Sequence, residues 1–229
     1  MVDMELEAVL RPPKIDMAPY PPKVITLANG KRLVVRQAER EDVPILLKAV
    51  HPAMFISRDY YDVVSARLYG ELLAWYRYRV HNEYCLMGQI DGYLVGVVNG
   101  RLVNRDIGMS YHTLAIDRGL RIGAHLFASK MEYHIEYLGQ KEVWIVAESP
   151  IGFRRWMIEY NLEIQPNVQH ELGGATSYRL TRDLYFASKP RLVVGDRPVP
   201  QDLFDQAAER ILVADEETIN EKICGVKGR

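Results

Sequence analysis

Cysteine is nearly missing from this chain: Cys85 and Cys224 are the only two among 229 residues, and they sit at no metal-binding spacing. Two isolated thiols exclude a disulfide framework and a cysteine zinc site. No apolar run approaches the roughly 20 residues a membrane-spanning helix needs. Charge of one sign is lacking too, since 29 basic and 30 acidic residues leave a formal net charge of -1. That balance gives no overall pull toward nucleic acid or an anionic membrane. The first residues are acidic and proline-rich, where a secretory signal would be basic and then apolar. His51, His81 and His170 are scattered, with no cysteine or carboxylate at ligand spacing, so no metal is expected. Together these absences describe a cytoplasmic protein with reduced thiols, Cys85 in its core.

An apolar content of 48% is enough to bury a sizeable core. Residues 1–23 carry five prolines and read as an extended arm, either docked on a partner surface or loose. Asn29-Gly30 lies between two β-prone runs, 24–27 and 32–36, which is a hairpin signal. Helical patterns follow over 42–50 and 59–80; in the second, Val64, Leu68, Leu72 and Tyr76 recur every four residues. Strands are expected over 84–89, 93–98 and 107–116, with Asp91-Gly92 as a tight turn. A helix over 119–138, a strand over 143–147 and a helix over 150–160 come next. A closing pair, 164–172 and 176–184, bends at Gly173-Gly174. From residue 189 the chain changes character, and a last helix is expected over 201–212. The order implies a mixed α/β fold, a mainly antiparallel sheet flanked by helices with one parallel crossover.

The most informative stretch joins the third strand of that meander to the next helix. Leu114, Ala115 and Ile116 end an apolar strand; Arg118, Gly119, Leu120, Arg121, Ile122, Gly123 and Ala124 make an Arg/Gly turn into a helix. Glycine lets backbone approach a ligand, a helix N-terminus offers unpaired N–H groups at its positive dipole end, and arginine adds charge. A pyrophosphate suits such a turn.

With the element order in place, the sequence resembles the GNAT acyltransferase superfamily from about Arg32 to Leu184. Arg36-Gln37-Ala38-Glu39-Arg40-Glu41-Asp42 resembles the family's opening strand and helix start. Residues 118–124 resemble its acetyl-coenzyme A loop, Arg/Gln-x-x-Gly-x-Gly/Ala, and 177–184 its closing strand. The resemblance implies a domain over 24–188 between the proline-rich arm and a C-terminal helical extension, 189–229. It implies that Leu114, Ala115 and Ile116 pair through their backbone with the pantetheine arm of acetyl-CoA or another acyl-CoA. Residues 118–124 would hold the pyrophosphate, and a slot would open between the strands containing Leu114 and Val143.

Amine acylation needs a base, because the attacking amine must be neutral. His112 precedes Leu114 by one strand alternation, and His-Thr-Leu-Ala-Ile resembles a strand of arylalkylamine-type acyltransferases. It reads either as that base or as a core histidine sharing a face with Leu114 and Ile116. Glu148, just past the next strand, is a second base or amine anchor, or an ordinary strand-end carboxylate. Tyr160 is either the phenol that protonates the leaving thiolate or a packing tyrosine. His125 and His134 on the long helix read as solvated or capping residues. The arginines and aromatics near Trp75 read as the basic edge of a packed helix. The expected reaction is acyl transfer from coenzyme A to a primary amine, small or protein-borne, by direct attack in a ternary complex. The alternative is a domain of this fold without catalysis, serving as a binding or assembly subunit; Arg121 in a glycine position and the long extensions motivate it. Homo-oligomerisation through those extensions belongs with either reading.

Overall fold

Gly30 and Gly92 both adopt positive φ, 82° and 79°, the left-handed backbone that tight reversals require. The first reversal joins β1 (Lys23–Thr26) to β2 (Arg32–Gln37), and the second joins β3 (Glu83–Ile90) to β4 (Tyr93–Leu102). A computed structural model describes residues 14–170 and 175–225; the Gly173-Gly174 bend and the arm's Pro12-Pro13 lie outside them. The sheet continues through β5 (Ile107–Ala115), β6 (Glu142–Val146), β7 (Glu163–Ile164) and β8 (Ser177–Thr181). Its eight strands run in the order β1-β2-β3-β4-β5-β6-β8-β7, antiparallel everywhere except between β5 and β6. This is the mixed α/β architecture that the element order implies.

Seven helices flank the sheet among the described residues. These are α1 (Val43–Val50), α2 (Tyr61–Tyr76), α3 (Ile122–Glu132, continued by π-helical Tyr133–Tyr137) and α4 (Pro150–Gly152, continued by π-helical Phe153–Ile158). After the sheet come α5 (Arg182–Leu192), α6 (Gln201–Glu209) and α7 (Glu216–Cys224). On one face, Leu68 and Leu72 of α2 and Ile219 and Ile223 of α7 pack against Leu114 and Ile116. On the other, α3 lies so close that a Cβ on Gly96 would stand 2.6 Å from Leu126. The missing side chain lets helix and sheet touch.

Several boundaries differ from expectation for local reasons. α2 starts at Tyr61 because Asp59 and Tyr60 take left-handed backbone, and it stops where Tyr78 does the same. The helix expected from Gly119 begins at Ile122, since Gly119 and Arg121 have φ of 95° and 60°. The closing strand ends at Thr181, whose hydroxyl accepts from Leu184 N–H and caps α5; that helix runs straight through the 188/189 boundary. α6 stops at Glu209, and α7 was not foreseen.

His134 corrects a second expectation. It is fully buried, with Nε2 2.7 Å from the Tyr84 hydroxyl and Nδ1 bonded to the Gln140 side chain. Burial pulls its imidazole down to about 3, so the ring is neutral in the core.

The described part of the arm docks on its own domain. Tyr20 donates to Glu132 at 2.7 Å, and the Tyr133 hydroxyl donates to Ala18 O. Glu132 also takes Lys23 at 2.9 Å and both terminal nitrogens of Arg197 at 3.0 Å, so arm, α3 and C-terminal extension meet at one carboxylate.

Candidate active site

β5 leaves its neighbours before it ends. Its parallel pairing with β6 stops at Ser110 opposite Ile145, yet the strand runs on to Ala115, while Val146 pairs only with Ser177 of β8. On the β4 side the register shifts between Val98 and Gly100, a β-bulge. The strand carrying Leu114 therefore diverges from the one carrying Val143, as a slot between them requires. Two side chains reach its edge. The His170 ring lies 3.2 Å from the Ser110 carbonyl, and the Tyr61 hydroxyl donates to the Ala115 carbonyl at 2.7 Å.

Within this stretch His112 faces α2, and its Nδ1 is 3.2 Å from Oε2 of Glu148, which enters from the end of β6. The other Glu148 oxygen accepts from Arg67 on α2. Burial alone would raise the Glu148 carboxyl, but His112 and Arg67 outweigh it and hold it below the usual range. A carboxylate at Nδ1 favours the tautomer with its proton there, which leaves the Nε2 lone pair as a base. That Nε2 is buried and has no hydrogen-bond partner. The two residues are 36 positions apart in sequence, and the sheet brings them together.

Downstream, the turn into α3 is open. Nothing lies within 4 Å of a Cβ built on Gly119, and no side chain caps the helix N-terminus. Gly123 sits against the strand, where an added Cβ would stand 3.5 Å from the Ala115 side chain. The two arginines differ sharply. Arg118 is tied at 2.8 Å to Asp59 and donates to the Ile223 carbonyl of α7. Arg121 is about half exposed (52%) and faces a cavity of about 360 Å³ that Arg155 and Arg191 also line. Glu159 in the same cavity takes contacts from all three arginines, so three cations share one carboxylate and one carbonyl. An anion has the advantage here.

No family model matches the chain, and no curated protein matches it in sequence. Solved structures match it in fold. It is similar to an uncharacterized protein from Bacillus halodurans, with 11% identity over 75% of this chain and 95% of that one, at a TM-score of 0.54. It is also similar to apo FdhC, a nucleotide-linked sugar GNAT, with 10% identity over 77% of this chain and all of that one, at a TM-score of 0.52. The chain has the GNAT fold.

Within the GNAT fold the sequence-derived site residues separate into groups. His112 and Glu148 come together. Gly119, Leu120 and Arg121 form the open turn, and Ile122, Gly123 and Ala124 are the first residues of α3. Leu114 and Ile116 turn their side chains into the core, and the Ile116 N–H already donates to Val95 O at 2.8 Å. Ala115 carries the carbonyl that Tyr61 covers. Tyr160 lies in another packed cluster, its ring edge-on to Phe127 at 5.5 Å and its buried hydroxyl without a partner, at the wall of the arginine cavity.

Arg67 and Lys130 were missed. Lys130 and His134 follow Ile122 and Leu126 at four-residue spacing, so the apolar stripe of α3 did mark both as inward-facing.

Proposed function

We propose that this chain is an acyl-CoA-dependent N-acyltransferase that acylates a primary amine by direct attack. The observation that carries the reading is the His112–Glu148 pair, whose orphaned Nε2 lies beside the split between β5 and β6. The uncapped N-terminus of α3 at the same end of β5 supports it.

The residues present fit the donor. Backbone N–H groups around 119–124 and the Arg121 guanidinium suit a diphosphate, and the arginine cavity suits the remaining phosphate of the nucleotide end. When bound, the acyl-CoA supplies an activated carbonyl and a thiolate that leaves readily. Glu148 holds the proton on Nδ1 and balances the charge His112 acquires. His112 Nε2 receives the proton of the incoming ammonium, directly or through water. Arg67 fixes the carboxylate and keeps it ionised. The reading does not need Tyr160: burial pushes its phenol well above the ordinary range, which makes it a weaker acid than the thiol it would protonate. Tyr61 would release the Ala115 carbonyl as the donor's amides arrive. The acceptor can be a small amine or an amine on a protein.

Calorimetric titration with acetyl-CoA tests this reading, followed by a thiol-release assay over a panel of amines. Binding is expected to weaken about tenfold in Arg121→Ala and less in Arg191→Ala, with a marked salt dependence. Thiol release should follow addition of a suitable amine. Tight binding with no thiol released by any amine would favour a binding or assembly role instead.

A further inference from the structure

Tyr111 and His112 belong to no ladder. They fall in the gap between Thr113 opposite Val98 and Ser110 opposite Gly100, and β6 has already parted from β5. Buried backbone groups stripped of sheet partners must find others. Here the His112 N–H donates to the Asn99 side chain at 3.0 Å. The carbonyls are met by Lys130, whose ammonium reaches up from α3 to His112 O at 3.0 Å, Asn99 O at 3.3 Å and Tyr111 O at 3.4 Å. Thr113 Oγ1 completes the shell at 3.3 Å.

Lys130 is wholly buried, on a stripe where leucine or methionine would fill the same space. Its described partners are oxygens of β4 and β5, so the ammonium is dehydrated without an ion pair of its own. Burial pulls it down to about 7, against the attraction of Glu148 and Cys85. A core that accepts this cost gains control of a backbone that has no sheet to hold it. Control matters because side chains alternate along a strand. A slip of one residue through the bulge would turn the His112 ring to the opposite face, away from Glu148.

We propose that Lys130 is the positioning residue of the His112–Glu148 pair, clamping the bulged carbonyls of β5 so that Nδ1 meets the carboxylate and Nε2 faces the reaction. The proposal rests on the acyltransferase reading for its consequence in turnover, but the imidazole geometry is measurable without any substrate. The test uses the full chain and the variant Lys130→Met, which keeps length and loses the donor. Nitrogen-15 spectra of the neutral imidazole are expected to give a single Nδ1–H tautomer for wild-type His112. In Lys130→Met that signal should split or move to the averaged position. Turnover should fall at least about tenfold while the KM for acetyl-CoA stays nearly constant, a split that marks lost alignment and not lost donor binding. Lys130→Gln, which keeps a shorter donor, should recover part of both readouts.

A folded Lys130→Met with the wild-type tautomer and wild-type turnover overturns the proposal. If the methionine variant does not fold, Lys130→Leu, which also lacks the donor, decides it by the same two readouts, and wild-type behaviour there overturns it equally. Should the unmodified chain release no thiol, the acyltransferase reading fails, and the tautomer comparison still judges the clamp.

Discussion

Replacing His112 with alanine is expected to lower turnover by roughly 10²–10⁴-fold, the range associated with loss of a general base, while acetyl-CoA binding changes little. The split follows from the geometry. His112 makes its polar side-chain contact with Glu148, whereas the open turn at 119–124 and the arginine cavity belong to other elements. Glu148→Gln should cost less than His112→Ala, because an amide can still accept from Nδ1 but no longer balances a charged ring. Arg67→Ala should cost less again, since Arg67 is partly exposed and acts on the carboxylate alone. Steady-state kinetics with saturating amine would reveal this ranking. Unchanged turnover in His112→Ala would move the base elsewhere.

The second large effect is on stability. Glu132→Ala is expected to destabilise the fold by about 3–5 kcal/mol, the usual consequence of removing one partner from a buried ion pair. In a chain of this size that lowers the melting temperature by about 10 °C. Lys23 is almost wholly buried, and burial already draws its ammonium below the ordinary lysine range despite Glu132. Without the carboxylate, Lys23 and Arg197 would face one another uncompensated, and the arm would lose the Tyr20 anchor as well. Glu132→Gln should be milder. The same carboxylate sets an acid limit: its desolvation is outweighed by Arg197, Lys23 and Tyr20, which draw it down to about 2. A carboxyl held that low in the fold contributes stability that is complete above its unfolded value and is lost as pH falls from about 4.5 toward 2. Thermal melts across that window should show this loss in the wild type and little of it in Glu132→Ala.

What could be read from the sequence was mostly what is local. Gly30 and Gly92 announce their turns because the backbone there depends on one or two residues. The strand, the open turn and the helix around 114–124 were visible for the same reason, with Gly119 giving the bend. The residue types of the site were visible too, but the meeting of His112 with Glu148 depends on how β5 and β6 diverge, which spacing does not encode. The Glu132 cluster joins residues 109 and 65 positions away, so nothing nearby announces it. Thr181 illustrates an opposite failure: a β-prone run supplies the hydroxyl that starts a helix. Lys130 went unread and His134 was read as solvated or capping, although their spacing on α3 already placed them inside. The extension was read as a route to homo-oligomerisation, and its packing on the chain's own domain was not legible. In the structure, Ile219 and Ile223 fill the chain's own core beside Leu114.

Backbone hydrogen exchange with and without acetyl-CoA bears most directly on the central claim, that a diphosphate sits on the amides opening α3 while the thioester enters beside His112. Slowed exchange is expected at residues 119–124 and along 113–115, with the Tyr61 contact at Ala115 released. Unchanged exchange there at saturating acetyl-CoA, or protection confined to another part of the surface, would contradict it.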